Sequence, residues 1–145
     1  SRLQLEITES MALTLDSTTA VLGQLRDLGV RIAIDDFGTG YAALSQLRDL
    51  PVDIVKIDRS CVSGIEVNSV SEAIVLAIVS MARALDFYVV AEGVETEREL
   101  DIIRQSKCDA VQGFFLCGPL PPEELEDGMA QRGTDGGPLT ARQAR

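Results

Sequence analysis

The chain has 145 residues, 46% of them apolar, and a mean hydropathy of +0.13, which suffices for one domain with a packed core and excludes a disordered polymer. Twenty-three acidic against 13 basic residues leave a formal charge of −10, which excludes sequence-independent binding to a nucleic-acid polymer. Histidine is absent, removing the commonest zinc ligand and general base, and three cysteines without C-x-x-C spacing (Cys61, Cys108, Cys117) read as buried or incidental thiols of a reducing compartment.

Leu3-Gln4-Leu5-Glu6-Ile7 alternates apolar and polar residues and predicts a first strand, with Glu9 just beyond it. The strand begins almost at the first residue, so the chain is expected to be the C-terminal part of a longer domain. Ser17 is placed to cap a helix carrying Val21, Leu22, Leu25 and Leu28, ended by Gly29. The stretch RIAIDDFGTG (Arg31 to Gly40) then joins an apolar strand to two adjacent carboxylates, Asp35 and Asp36, and a glycine-containing turn. Two unit charges about 4 Å apart repel by roughly 4 kcal/mol at an effective dielectric near 20, so such a pair calls for a shared proton, a basic neighbour or a metal ion.

A short helix with Leu44 and Leu47 inward stops near Pro51, and Asp53-Ile54-Val55-Lys56-Ile57-Asp58 predicts a third strand. Ser69-Val70-Ser71-Glu72 has the form of a capping box ahead of a helix carrying Ile74, Val75, Ile78, Val79, Ala82 and Leu85. Phe87 to Ala91 is the fourth strand, followed by Glu92-Gly93-Val94-Glu95. Thr96 and Glu99 form a second capping box, with Leu100 and Ile103 on that helix's buried face. Ala110-Val111-Gln112 opens a fifth strand with Gly113, Phe114 and Phe115; Pro121 and Pro122 start a last helix with Leu125 and Met129. Residues 133–145 read as a disordered tail, leaving 1–132 as the domain. No apolar stretch is long enough to cross a bilayer and no signal peptide is visible, so a cytoplasmic location is expected.

This β-α alternation predicts an α/β fold with a parallel sheet. Glu6, Asp35, Lys56, Glu92 and Gln112 each fall at or near the C-terminal end of a strand. Those ends converge on one face in a (β/α)8 TIM-type barrel, whereas an open doubly wound sheet places its site at a switch point served by fewer strands. Five contributing strands favour the barrel, present in part as about five βα units.

If the ends converge, they gather Glu6, Asp35, Asp36, Asp58, Glu92 and Glu95 around Lys56. Carboxylates without histidine or thiolate suit hard divalent cations, Mg²⁺ or Mn²⁺, and this many suit two ions clamping a phosphate and activating water. Lys56 is then placed to orient that water or to stabilise developing charge. Taken singly, the same residues have plainer explanations. Asp36 can cap the next helix with Asp35 solvated, Glu9 and Glu95 can anchor loops, and Asp58 and Lys56 can form a structural ion pair. Gln112 can bond backbone, and the Gly38–Gly40 turn can permit a tight bend instead of presenting N–H groups to phosphate.

The motifs LEITES (Leu5–Ser10), DDFGTGYAALSQL (Asp35–Leu47), VKID (Val55–Asp58), VVAEGVET (Val89–Thr96) and QGFFLCGPLP (Gln112–Pro121) resemble those of the EAL domain in order and spacing. The EAL domain is the bacterial phosphodiesterase that hydrolyses cyclic di-GMP to linear pGpG. The resemblance implies that Glu6 and Asp35 ligate a first metal ion and that Asp35 bridges to a second shared with Asp36. It implies that Lys56 contacts the attacking water and that Glu92 is a general base or water-mediated ligand. It implies as well that Glu9 holds the loop starting at Asp35 and that Asp58, Glu95 and Gln112 complete the pocket. It implies further that the loop from Asp35 to Tyr41 couples metal binding to dimerisation.

The resemblance also implies cyclic di-GMP as ligand, a homodimer, and upstream sensor or cyclase domains in a parent protein that can be membrane-attached. The glutamate of the E-A-L motif and the asparagine of the following strand are absent from this sequence, so little turnover is expected from the chain alone. Self-association through exposed strand edges is expected as well. The alternative is a non-catalytic module, derived from an EAL domain, that binds cyclic di-GMP or a protein.

Overall fold

A computed structural model describes residues 3–12, 16–40 and 44–124. The last helix expected at Leu125 and Met129, the tail 133–145 and Tyr41 lie outside the described residues. The elements run β1 (Gln4–Thr8), α1 (Glu9–Ala12), α2 (Asp16–Asp27), β2 (Arg31–Phe37), α3 (Leu44–Asp49), β3 (Ile54–Ile57), α4 (Arg59–Val62), α5 (Ser69–Ala84), β4 (Tyr88–Ala91), α6 (Glu97–Gln105) and β5 (Ala110–Val111). All strand pairs are parallel, and the five strands lie in the sheet in chain order. A doubly wound sheet reverses its strand order at a switch point. Here the order never reverses, and the sheet is an arc of an α/β barrel.

Register sorts the side chains. Ile34 pairs with Val55 and Val55 with Val89, while Ile57 pairs with Ala91, so these residues share one face. That face packs with Val75, Ile78, Val79 and Ala82 of α5 and with Leu100 and Ile103 of α6 in one core. The opposite face carries Glu6, Ala33, Asp35, Ile54, Lys56 and Val90, because residues two apart on a strand, and residues paired across parallel strands, point the same way. The core and the polar cluster are therefore separated by the thickness of the sheet.

One irregularity matters for the site. Between Ile34 and Phe37 β2 spends three steps against two on β3, a bulge. Asp36 sits within it in left-handed backbone, φ 56°, a conformation that aspartate tolerates better than most residues. The extra residue resets the alternation, so Phe37 returns to the core. Without the bulge, Phe37 would face the carboxylates.

Several predicted boundaries shift. The third strand is Ile54–Ile57, shorter than Asp53 to Asp58, and β5 is two residues, with Gly113 to Leu116 folded into turns instead of continuing the strand. The Asp53 carboxylate accepts the Ile32 N–H at 2.9 Å, and that of Asp109 accepts the Val89 N–H at 2.8 Å. Each extends a ladder one step past the strand's start. Both border a cleft of about 330 Å³, lined also by Arg83, Asp86, Phe87 and Tyr88, at the end of the sheet away from Glu92. Val21 and Leu28 of the first long helix segment and Ile74 of α5 are exposed, not buried as their spacing predicts.

The α6 capping box forms as expected, with Thr96 Oγ1 accepting the Glu99 N–H and Glu99 accepting the Thr96 N–H. At α5 the expectation fails: the cap is Asn68, whose side chain accepts from Val70 and Ser71, and Ser69 is already helical. An amide oxygen one residue earlier reaches the first free N–H groups and leaves serine no role there. We expect Asn68→Ala to lower the unfolding free energy by about 1 kcal/mol, and Ser69→Ala to change it by less than about 0.5 kcal/mol. Paired urea denaturation curves distinguish the two, and equal losses would return the cap to Ser69.

Candidate functional site

The strand ends converge on a single ammonium. Lys56 Nζ lies 2.9 Å from Glu6 Oε2, 2.9 Å from Asp35 Oδ1 and 2.8 Å from Glu92 Oε1. The three acids come from β1, β2 and the end of β4, and the lysine from β3 between them. Lys56 is buried, with its side chain 9% exposed, while Glu6 at 42% opens toward solvent. Burial by itself lowers the lysine pKa, but donation to Glu92, Glu6 and Asp35 outweighs it and holds the group above its ordinary value. The stabilisation from this pairing is therefore fully present below the unfolded lysine value of about 10.4 and is lost only as pH rises through the folded one.

Of the other acids expected here, some join this region as supports and some do not. Glu9 is buried and accepts the Gly38 N–H at 3.1 Å, so it anchors the loop that follows β2. That N–H is thereby engaged by Glu9, which favours the tight-bend reading of the glycine turn over a phosphate cradle. Gly38 has φ 101°, and a Cβ there would lie 2.9 Å from Cys61 Sγ, so glycine is required on both counts. Asp36 is exposed in the bulge and outside the Lys56 cluster. Asp58 is not paired with Lys56. It caps α4, accepting from Ser60 N–H, and these bonds outweigh the effect of its burial to hold its pKa below the usual carboxylate range.

Glu95 pairs with Arg59 at 2.7 Å, both of them partly exposed. Gln112 is exposed, while its backbone joins the sheet, donating to Ala91 and accepting from Val94. The turn after it is pressed against β4's extension so closely that a Cβ on Gly113 would overlap the Val94 backbone. Besides Asp53 and Asp109, sequence reasoning missed a structural acid beside the site. Glu99, read as a helix cap, is buried and accepts the N–H groups of Gly64, Glu95 and Thr96, tying the loop after α4 to the loop after Glu92. Its pairing with Gly64, 35 residues away, leaves no local signal in the sequence.

Among the described residues no three His, Cys, Asp or Glu side chains stand grouped as an open metal shell. The carboxylates point instead at the ammonium. Their chemistry nevertheless fits a hard cation: all donors are oxygens, and three of them reach one positive centre from three strands.

The EAL domain family model matches residues 1–119. The chain belongs to the EAL domain family. It is 45% identical over 126 residues to the cyclic di-GMP phosphodiesterase NbdA of Pseudomonas aeruginosa, a match covering 86% of this chain and 16% of that protein. The bifunctional diguanylate cyclase/cyclic di-GMP phosphodiesterase MucR of the same bacterium is also 45% identical over 126 residues, covering 86% and 18%. The MucR phosphodiesterase structure, a c-di-GMP complex, matches with a TM-score of 0.81 over 85% of this chain and 50% of that one. A manganese and cyclic di-GMP complex of Klebsiella pneumoniae BlrP1 matches with a TM-score of 0.73 at 38% identity, over 78% and 29%. The chain thus spans less than a fifth of the two relatives' length and half of the solved MucR chain. Among the described residues of this EAL chain, no helix is long and apolar enough to cross a membrane.

Glu99→Gln is expected to lose about 2 kcal/mol of unfolding free energy near neutral pH, because an amide cannot accept three backbone N–H groups on two oxygens. Interaction with these N–H groups outweighs burial and lowers the Glu99 pKa, so the wild-type advantage is present above the unfolded glutamate value and fades as pH falls through the folded one. Urea denaturation at about pH 7 and about pH 3 measures this. A deficit equally large at the acid end would show that the carboxylate charge is not what matters.

Proposed function

We propose that this chain carries the larger share of a metal-dependent phosphodiesterase site that hydrolyses cyclic di-GMP to linear pGpG. The observation that carries the reading is the meeting of Glu6, Asp35, Glu92 and Lys56 from four strands at one point. The names of NbdA and MucR and the ligands of the MucR and BlrP1 structures support the substrate and a divalent ion. In this reading Glu6 and Asp35 would hold a first Mg²⁺ or Mn²⁺, and Asp35 with Asp36 would hold a second. The bound ions supply Lewis acidity toward the phosphodiester and lower the pKa of water.

The chain's own residues do the rest. Glu92, fixed by its backbone N–H to Ile57 at 3.0 Å, takes the proton of the attacking water. Lys56 orients that water and meets the negative charge that develops on the phosphoryl oxygens. Glu9 sets the position of the loop after Asp35, and through that loop ion binding is coupled to pairing with a second copy. Asp58, Glu95 and Gln112 border the pocket, with Asp58 acting through the start of α4 and Glu95 through Arg59. We place the activity in the cytoplasm, within a larger signalling protein that carries sensor or cyclase domains.

The test is cyclic di-GMP hydrolysis in Mg²⁺ or Mn²⁺, with pGpG as the product monitored. This chain is assayed alone and fused behind the N-terminal half of the MucR EAL domain, which supplies the strands that the match does not cover. We expect turnover by the fusion, little by the chain alone, and a loss of at least about 100-fold in the fusion on Glu92→Ala. A fusion that binds cyclic di-GMP without cleaving it would move the chain to the class of non-catalytic receptors.

A further inference from the structure

An ammonium has three N–H donors, and Lys56 hydrogen-bonds Glu6 and Asp35 at 2.9 Å each while its ammonium also lies 2.8 Å from Glu92 as an ion pair. A lysine so held is turned toward carboxylates and away from a water or a phosphoryl oxygen. The same ammonium occupies the point on which Glu6 and Asp35 converge, the two residues read above as ligands of the first ion. One position is thus claimed by two cations, and Lys56 cannot orient water while it holds all three acids.

We propose that Lys56 is an internal counter-cation that assembles Glu6, Asp35 and Glu92 before a divalent ion binds, and that ion binding moves the ammonium off Glu6 and Asp35. The move frees donors for water and substrate, so the lysine becomes competent only in the loaded site. The inference rests on the metal-ligand reading of Glu6 and Asp35, and its chemistry is that of ion exchange. No bond to carbon is made or broken, and one ammonium–carboxylate contact is traded for one ion–carboxylate contact at each acid. The buried setting supports it. Glu92, 16% exposed in its side chain, and Lys56 keep each other paired, and the more open Glu6 and Asp35 are the acids that an incoming ion reaches first.

The sequence makes the test clean, because it contains two lysines, Lys56 and Lys107, and Lys107 is exposed. With ¹⁵N-lysine label and EDTA, the Lys56 ammonium is expected to give a slowly exchanging side-chain NMR signal, while that of Lys107 is averaged with water. Mg²⁺ titration is expected to shift or broaden the Lys56 signal in step with the bound fraction measured by calorimetry. Mg²⁺ binding with the signal unmoved would overturn the exchange and leave the metal-ligand reading standing; no Mg²⁺ binding by the chain or by the MucR fusion would overturn both.

Lys56→Met provides the second arm. We expect its Tm in EDTA to fall by roughly 5 °C or more, and its gain in Tm on adding Mg²⁺ to exceed the wild-type gain, because the competing cation is gone. Equal gains in the two proteins would contradict the proposal. If the variant folds only with Mg²⁺, that supports it, and if it folds in neither condition the wild-type NMR titration decides.

Discussion

Three carboxylates sharing one buried ammonium is the constraint on which the rest of this structure depends. Four charged groups from four strands sit on the face of the sheet away from the helices, at its C-terminal end. Of the four only Lys56 is buried, and unpaired its ammonium would cost several kcal/mol of desolvation. The arrangement holds only if β1, β2, β3 and β4 keep their register, since a slip of one residue sends every side chain of a strand to the other face. The apolar face supplies that register. Ile34, Val55, Ile57, Val89 and Ala91 interlock beneath α5 and α6, and their burial fixes where Lys56 and its partners point.

A set of polar struts then holds the loops that rim the cluster. Glu9 grips the Gly38 N–H, Asp58 starts α4, and Glu99 binds Gly64, Glu95 and Thr96. Each is an acid accepting backbone N–H groups, the arrangement that satisfies donors which loops leave unpaired. At the opposite end Asp53 and Asp109 do the same for the starts of strands. The chain's surplus of acids is thus partly structural: some carboxylates near the sheet pair with Lys56 and others tie down backbone.

Much of this was legible in the sequence, for reasons that can be named. Apolar runs ending in Asp35, Lys56 and Glu92 marked both the strands and the face on which their ends meet, because strand period and loop position are local properties. Which of the six acids expected around Lys56 pair with it was not legible, since that depends on inter-strand register. Asp58, nearest to Lys56 in sequence, turned out to be a helix cap, while Glu6, 50 residues away, is a partner. The bulge at Asp36 also escaped, because a left-handed aspartate inside a strand leaves no pattern in hydropathy. Asn68 took the capping role assigned to Ser69 because a capping box and an Asx cap one residue earlier look alike in sequence. The exposure of Val21, Leu28 and Ile74 shows the limit of helical spacing as a guide. Spacing defines a face, and the tertiary neighbours decide how much of it is covered.

Membership of the EAL domain family motivates the phosphodiesterase proposal, and the Lys56 cluster motivates the proposed condition under which that chemistry starts. In the proposed exchange the positive charge is supplied first by a lysine and then by a divalent ion, so the site is assembled before it is active. The most direct measurement is a crystal of the chain grown with Mn²⁺, with anomalous scattering recorded at the manganese edge. The account predicts a peak within about 2.0–2.3 Å of Glu6 and Asp35 carboxylate oxygens, with Lys56 Nζ withdrawn from both and still paired with Glu92. Manganese found elsewhere, with the ammonium still bridging all three acids, would contradict it.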